Sequence, residues 1–349
     1  MRSLCDPSFL YPPASPQDTT LWRSVGICVF YASCSVTLSF INKALLSVYQ
    51  FPGFLFLLCC QLVAALLCCV LFKQLSAAFG PGFDAAVGGR IPDFSLATAK
   101  KCAILSFLFV GNVGSGFIGL RHVDIPLFLC LRRTAVLFTL VSDYFVRGLV
   151  LPRAMVASLV LIAAGALVAG WGALSGGGDG DGGGSSGDAL GMTMCMVNNV
   201  MTALYLTRTK RFSSVTGIKS FGLLFYNSII ALPLTFLASC AAGELEAVRA
   251  FPHWGDPAFL VGLVVSSLMG VVLTFAIFLC TTVNSPLATS VTGNIKDIVS
   301  TCASFVIFNN PMPGGTARRS SVEHLISTKA LRCTATAWML IVAQCSAIP

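Results

Sequence analysis

Charge is what this sequence has least of. Asp, Glu, Lys and Arg make up only 10% of it, whereas a soluble chain of comparable length carries roughly 25% to cover its surface. A soluble enzyme or a nucleic-acid-binding domain is excluded on that ground. Histidine is scarcer still. His122, His253 and His324 are scattered between apolar runs, Glu244 and Glu246 stand on one short loop without partners, and no CxxC pair occurs. No zinc site or catalytic dyad assembles from these residues, so neither enzymatic activity nor a bound metal or cofactor is expected. The glycine-rich stretch 175–188, SGGGDGDGGGSSGD, lacks the GK[ST] ending and the following helix start of a phosphate-cradling loop. Its Gly-Asp pattern does not recur as a calcium repeat would, and it reads as a flexible linker. Residues 1–20 are polar, with Pro7, Pro12, Pro13 and Pro16 and no apolar core, so no removable signal peptide is expected. A disulfide framework is missing too. There are 15 cysteines, but most, including Cys59, Cys60, Cys68, Cys69 and Cys280, lie inside apolar runs, where a free thiol acts as a small hydrophobe.

Those apolar runs are what the sequence does have. Apolar residues make up 56% of it and the mean hydropathy is +0.84. The runs are about 18 to 26 residues long, enough to cross a hydrocarbon core roughly 30 Å thick. We read spans at 24–46, 52–72, 102–120, 125–145, 154–174, 189–206, 221–242, 258–283 and 286–308. With a cytosolic amino terminus, the cytosolic segments carry Arg2, Arg23, Lys73, Arg90, Lys100, Lys101, Arg147, Arg153, Arg208, Lys210, Arg211 and Lys219. The opposite side, up to the ninth span, carries only Arg121 and Arg249. This is a strong positive-inside bias.

Four cations fall inside spans: Lys43, Arg132, Arg133 and Lys296. Each costs about 2.5 to 3.5 kcal/mol at a helix centre on insertion scales. The fourth span, holding two, is penalised by roughly 5 to 7 kcal/mol, and its Leu, Ile, Phe and Val residues return about 3 to 7 kcal/mol. Such a span persists only where its arginines face a watery cavity or a counter-anion. Asp297 is the one deep intramembrane acid, and Asp143 lies near the cytosolic end of its span. The interior therefore stays positive and attracts anions. Lys43, close to a lumenal end, reads equally well as a side chain snorkelling to the interface. Adjacent helical positions diverge by about 100°, so Arg132 and Arg133 are not expected to point at one ligand together.

Divided at the glycine-rich stretch, the chain falls into two halves that begin on opposite sides, as inverted repeats do. The fourth and ninth spans then correspond, and each offers cations suited to a diphosphate. Asn112, Asn198, Asn199, Tyr226, Asn227, Asn284 and Asn294 are candidates for reading a base or sugar, or for bridging neighbouring helices. Gly111, Gly114, Gly116 and Gly119 form a small-residue stripe that predicts close helix packing. Pro233 interrupts the seventh span, where a kink could serve a gate.

At these residues the sequence resembles the nucleotide-sugar transporters of the drug/metabolite transporter superfamily, above all the subgroup for UDP-glucuronic acid and UDP-N-acetylgalactosamine, with its GDP-mannose relatives. The matching stretches are Ile41-Asn-Lys-Ala-Leu-Leu with Phe51-Pro52, Gly111-Asn112 leading to Pro126 and Leu131-Arg-Arg, Phe225-Tyr-Asn-Ser, Asn284-Ser285, and Gly293-Asn-Ile-Lys296. The resemblance implies an all-α, polytopic transmembrane bundle of ten helices in an inverted 5+5 repeat. It further implies alternating access, with cytosolic nucleotide-sugar exchanged for lumenal nucleoside monophosphate in a Golgi or endoplasmic reticulum membrane. By the same likeness Lys296 contacts phosphate, Arg133 matches a basic residue of the fourth helix, Tyr226 and Asn227 help hold the base, and Gly293 and Asn294 line the sugar. Ser228 stands where GDP-mannose carriers have a second Asn, which favours a UDP-sugar.

The expected organisation is a cytosolic tail at 1–21, a five-helix repeat at 22–174, the linker at 175–188, a second repeat at 189–308 and a tail at 309–349. That last tail reads NNPMPGGTARRSSVEHLISTKALRC and then only a weak apolar segment, so the tenth helix is missing or degenerate and the tail reads as an alternative ending. A nucleotide-sugar, a nucleoside monophosphate and membrane lipid are the expected partners, and nucleic acid is not. A homodimer is among the open assemblies. A carrier of another phosphorylated solute or of a GDP-sugar, and a truncated, non-transporting membrane partner, are the competing functions.

Overall fold

The computed structural model describes residues 21–79, 91–123, 131–148 and 186–308, with isolated positions 128, 156, 157, 159, 160 and 164. Apart from those isolated positions, the fifth expected span lies outside the described residues, as does the tail beyond Phe308. The described chain is helical and holds no strand. Helix α1 (Leu21–Lys43) continues into a π-turn, Ala44–Val48, and stops at Gln50, whose φ is 54°. Phe51 and Pro52 follow outside any helix, in keeping with the bias of a proline against helix in the residue before it. Next come α2 (Phe54–Phe79), α3 (Leu96–His122) and α4 (Ala135–Arg147). The second half holds α5 (Ser186–Thr216), α6 (Ser220–Ala241), the short α7 (Glu244–Arg249), α8 (Pro257–Val283) and α9 (Pro286–Phe308).

Helix ends follow local chemistry. Helix α4 ends at Gly148, left-handed at φ 66°, which donates to Tyr144 O at 2.9 Å. Asp256 caps α8 by accepting from Ala258 N at 2.9 Å, and Pro257 takes the first helical position. Several helices outrun their apolar spans. Helix α3 starts at Leu96 and takes the exposed Lys100 and Lys101 into its first turns. Helix α5 starts at Ser186, so the end of the glycine-rich stretch is helical and a helix start does follow it. The GK[ST] ending is still lacking. Helix α6 continues through Pro233, whose ring is exposed.

Five of the described helices, α1, α2, α3, α6 and α8, are long and apolar enough to cross a bilayer. Helices α5 and α9 are as long but carry Asn198, Asn199 and Thr202, and Asn294, Lys296 and Asp297, in their middles. Apolar side chains left exposed form stripes, such as Val63, Leu67, Val70 and Leu71 on α2 and Val261, Val264, Val265 and Leu268 on α8. These stripes suit a lipid solvent.

Helix α3 packs on α5, α1 on α8, and α2 on α6. Helix α4 lies against α5 and α9, and α9 also lies against α1. Small residues permit the close approaches: a Cβ on Gly116 would meet Asn198 Nδ2 at 2.8 Å, and one on Gly119 would meet Cys195 Sγ at 3.0 Å. Gly114 departs from the expected stripe, since a Cβ there meets nothing within 4 Å. Across the α1–α8 contact the free thiols of Cys28 and Cys280 touch at 3.7 Å.

One end of the bundle is sealed by aromatic rings from both halves. Phe51 sits 5.1 Å from Phe251, 5.4 Å from Phe259 and 6.1 Å from Trp254, centroid to centroid. Glu244 is tied to this seal and is not the partnerless loop acid its position suggests. Buried at the start of α7, its carboxylate accepts from Leu55 N at 3.2 Å, Phe56 N at 3.0 Å and Ser239 Oγ at 3.2 Å. It thus caps α2 from another segment, satisfying amides that no residue before α2 reaches.

Candidate functional site: a cation cluster where α1, α4 and α9 meet

The site begins with a turn. Thr134 N–H donates to Leu131 O at 3.1 Å, which sets the helical turn of 131–133 apart from α4. Asn199, fully buried on α5, holds this turn by donating from Nδ2 to Leu131 O at 2.9 Å and to Thr134 Oγ1 at 3.0 Å. Asn294 on α9 donates to Arg133 O at 3.0 Å, pinning α9 to the same place. Arg132 and Arg133 are therefore positioned by side chains from two other helices.

Two residues further along α9, Lys296 Nζ pairs with Asp297 Oδ1 at 2.7 Å. Their side chains are 12% and 18% exposed, so the pair is largely enclosed. Both Arg132 and Arg133 lie within electrostatic reach of Asp297. Asn199 and Asn294 orient the turn from which these two long side chains leave. Arg132 is exposed, while Arg133 is half-buried and its Nε has no hydrogen-bond partner among the described residues. Asp297, the expected counter-anion, pairs directly with Lys296 and lies within electrostatic reach of both arginines.

Tyr31 completes the cluster from α1. It is buried and within electrostatic reach of Asp297 and Arg132, and a Cβ on Gly293 would lie 3.6 Å from its hydroxyl. Sequence reading missed it, although a tyrosine in the middle of an otherwise apolar span was the available signal. Asn199, named only among general polar candidates, was missed as a support because its partner is a backbone carbonyl.

The structure brings Lys296, Arg133, Arg132, Gly293 and Asn294 to one place, and engages most of the other candidates in contacts between segments of the fold. Asn198 donates to Asn112 Oδ1 at 2.7 Å and Thr202 donates to the same atom at 2.6 Å, a bridge between α3 and α5. Tyr226 is buried on α6, where its hydroxyl donates to Asp93 O at 2.9 Å and accepts from Ser95 N at 3.0 Å. Asn227 Oδ1 accepts from Ser106 Oγ at 3.2 Å, while Asn227 Nδ2 and Ser228 Oγ have no partner among the described residues. Lys43 ends α1, half-buried and away from the cluster on the sequence. Asp143 pairs with Arg147 at 3.3 Å near the far end of α4.

Chemically, three cations and one acid, with Lys296 and Asp297 largely enclosed and Arg132 exposed, can hold a polyanion by charge-assisted hydrogen bonds. No cluster of His, Cys, Asp and Glu able to hold a metal occurs among the described residues.

Known proteins sharpen this picture. A UDP-N-acetylglucosamine transporter of Arabidopsis thaliana is 31% identical over 291 residues, covering 82% of this chain and 80% of its own. The UDP-sugar transporter UST74c of Drosophila melanogaster is 28% identical and covers 82% of this chain and 71% of its own. The GDP-fucose transporter 1 of Dictyostelium discoideum is 24% identical, over 84% of this chain and 76% of its own. A solved crystal structure superposes over 92% of this chain and 95% of its own with a TM-score of 0.58 at 16% identity, a likeness of fold alone. The UAA transporter family profile matches residues 21–317. With most of its length matched and its helices suited to a bilayer, the chain belongs to the UAA transporter family, a family of transporters rather than enzymes.

Proposed function

We propose that this chain is a nucleotide-sugar antiporter, carrying a UDP-sugar from the cytosol into the Golgi or endoplasmic reticulum lumen in exchange for a nucleoside monophosphate. One observation carries the reading: Lys296 pairs with Asp297, and Arg132 and Arg133 lie within electrostatic reach of that acid, where α1, α4 and α9 meet. Cations at this depth face a cavity or a counter-ion and mark a substrate pathway, and with a single acid among them they leave positive charge for an anionic substrate. In this scheme Lys296 and Arg133 grip the diphosphate, Arg132 contributes from its exposed side, and Gly293 and Asn294 line the sugar. Asn227 Nδ2 and Ser228 Oγ, buried and without partners among the described residues, would reach the base only in a conformation that uncovers them. The Tyr226 hydroxyl is already engaged by Asp93 and Ser95, so its part is to hold α6 in place.

The inverted 5+5 repeat is part of the proposal, and side-chain contacts support it. Asn284 meets Ser24 and, one turn away, Cys280 meets Cys28. In the other half Val123 meets Gly191 and, one turn away, Gly119 meets Cys195. The α1–α8 contact thus repeats in the α5–α3 contact with the same one-turn step. The α1–α9 and α5–α4 contacts correspond in the same way, while α2–α6 and α4–α9 map onto themselves. Carriers built from inverted repeats bind substrate between the halves, which supports this reading of the cation cluster.

The test is uptake of labelled UDP-sugars into proteoliposomes preloaded with UMP. Saturable uptake that requires internal UMP is expected, with Lys296→Ala reducing it at least about 100-fold, as loss of a buried charged partner does. Equal uptake by Lys296→Ala overturns the assignment of the site. Preferential competition by GDP-mannose overturns the reading of Ser228.

A further inference from the structure

We propose that Asp297 sets the charge of the central site and thereby selects nucleotide-sugars with an uncharged sugar over those carrying a uronic acid. The inference rests on the carrier reading and goes beyond it by naming the substrate class. Among the described residues the site holds three positive side chains, Arg132, Arg133 and Lys296, and one acid, Asp297, paired to Lys296 at 2.7 Å. The balance is two positive charges. A UDP-sugar with a neutral sugar carries two negative charges on its diphosphate. A nucleoside monophosphate carries close to two near neutrality, since its second phosphate pKa is about 6. Both partners of the exchange therefore match the site, and a UDP-uronic acid brings a third negative charge that does not.

Position strengthens the charge count. Asp297 lies one turn after Gly293, so the two share a face of α9. That face looks toward Tyr31, whose hydroxyl would lie 3.6 Å from a Cβ at Gly293 and which is within electrostatic reach of Asp297. Gly293 and Asn294 are the residues proposed to line the sugar, and the carboxylate of Asp297 is beside them. It neutralises one cation of the empty site and opposes a carboxylate on the sugar. An unmatched unit charge at about 7 Å in an effective dielectric of about 20 changes relative binding by more than about tenfold.

The deciding measurement is inhibition of labelled UMP homo-exchange in proteoliposomes of the full-length chain. UDP-glucose and UDP-glucuronate, which differ only at the sugar C6, serve as competitors. For the unaltered protein UDP-glucose is expected to inhibit at several-fold lower concentration. In Asp297→Asn the ratio should move toward UDP-glucuronate by about tenfold, while Asp297→Glu keeps the original ratio. An unshifted ratio in Asp297→Asn overturns the proposal and leaves the carrier reading intact. Should Asp297→Asn not fold, the unaltered protein still decides, because equal or stronger inhibition by UDP-glucuronate overturns the role of Asp297. Absence of any UMP exchange by folded, reconstituted protein instead overturns the carrier reading.

Discussion

At the scale of single residues, the side chains that matter most do so through backbone partners. Asn199 touches no charged group, yet its amide holds Leu131 O and Thr134 Oγ1 and so aims the adjacent arginines. Asn199→Leu is expected to lower transport by about tenfold or more without removing a charge, the penalty of a misplaced contact. Parallel measurement of KM and maximal rate, together with recovery in Asn199→Gln, distinguishes loss of positioning from loss of fold. Glu244 has the opposite role, far from the cations and purely structural. Removing its carboxylate strands the amides of Leu55 and Phe56 in a buried setting. Glu244→Ala should cost about 2 kcal/mol or more, read as a lowered midpoint in a thermal melt in detergent. Glu244→Gln, which keeps an acceptor oxygen, should recover part of the loss.

At the scale of helices, the pairing of α3 with α5 depends on glycines at specific depths. A Cβ on Gly191 would fall 2.3 Å from Val123 Cγ2 and 3.1 Å from the His122 carbonyl carbon, so backbone has to move. Gly191→Ala should therefore destabilise the pair by about 1 to 3 kcal/mol, as overpacking does. Gly114→Ala should be neutral or slightly stabilising, since its Cβ meets nothing within 4 Å and alanine favours the helix. Thermal melts of the two variants side by side check the contrast, and equal loss in both would contradict the packing described.

At the scale of the molecule, the aromatic seal and the cation caps lie at opposite ends. Phe51, Phe251, Trp254 and Phe259 close one end with rings drawn from both halves. At the other, Lys210 on α5 donates to Thr282 O and to Asn284 O at the end of α8, and Arg211 donates to Val146 O at the end of α4. These cations complement the negative ends of two helix dipoles. The proposed orientation puts the basic end in the cytosol. Protease sites inserted at Gly217 and at Gly255 test it, because a Cβ at either glycine meets nothing within 4 Å. In sealed Golgi vesicles the site at Gly217 should be cut at once, and the site at Gly255 only after detergent. The reverse pattern would invert the topology.

Much of this protein was written in its sequence, because the bilayer imposes a simple code. Scarce charge, apolar runs and the cations within them identified a helical membrane protein and picked out Arg132, Arg133 and Lys296, since hydrocarbon penalises each stray charge by kilocalories. The order of short motifs from Ile41 to Lys296 pointed to the family. Tertiary structure alone decided which candidates lie near one another and what each already bonds. The hydrogen bonds of Tyr226 and Asn198 end on Asp93, Ser95 and Asn112, partners that the sequence does not name. Tyr31, Asn199 and Glu244 matter through contacts spanning dozens of residues or more, two of them to backbone atoms every residue possesses. Side-chain identity records what a residue can bind. Only the packing of distant helices determines what is within 3 Å of it.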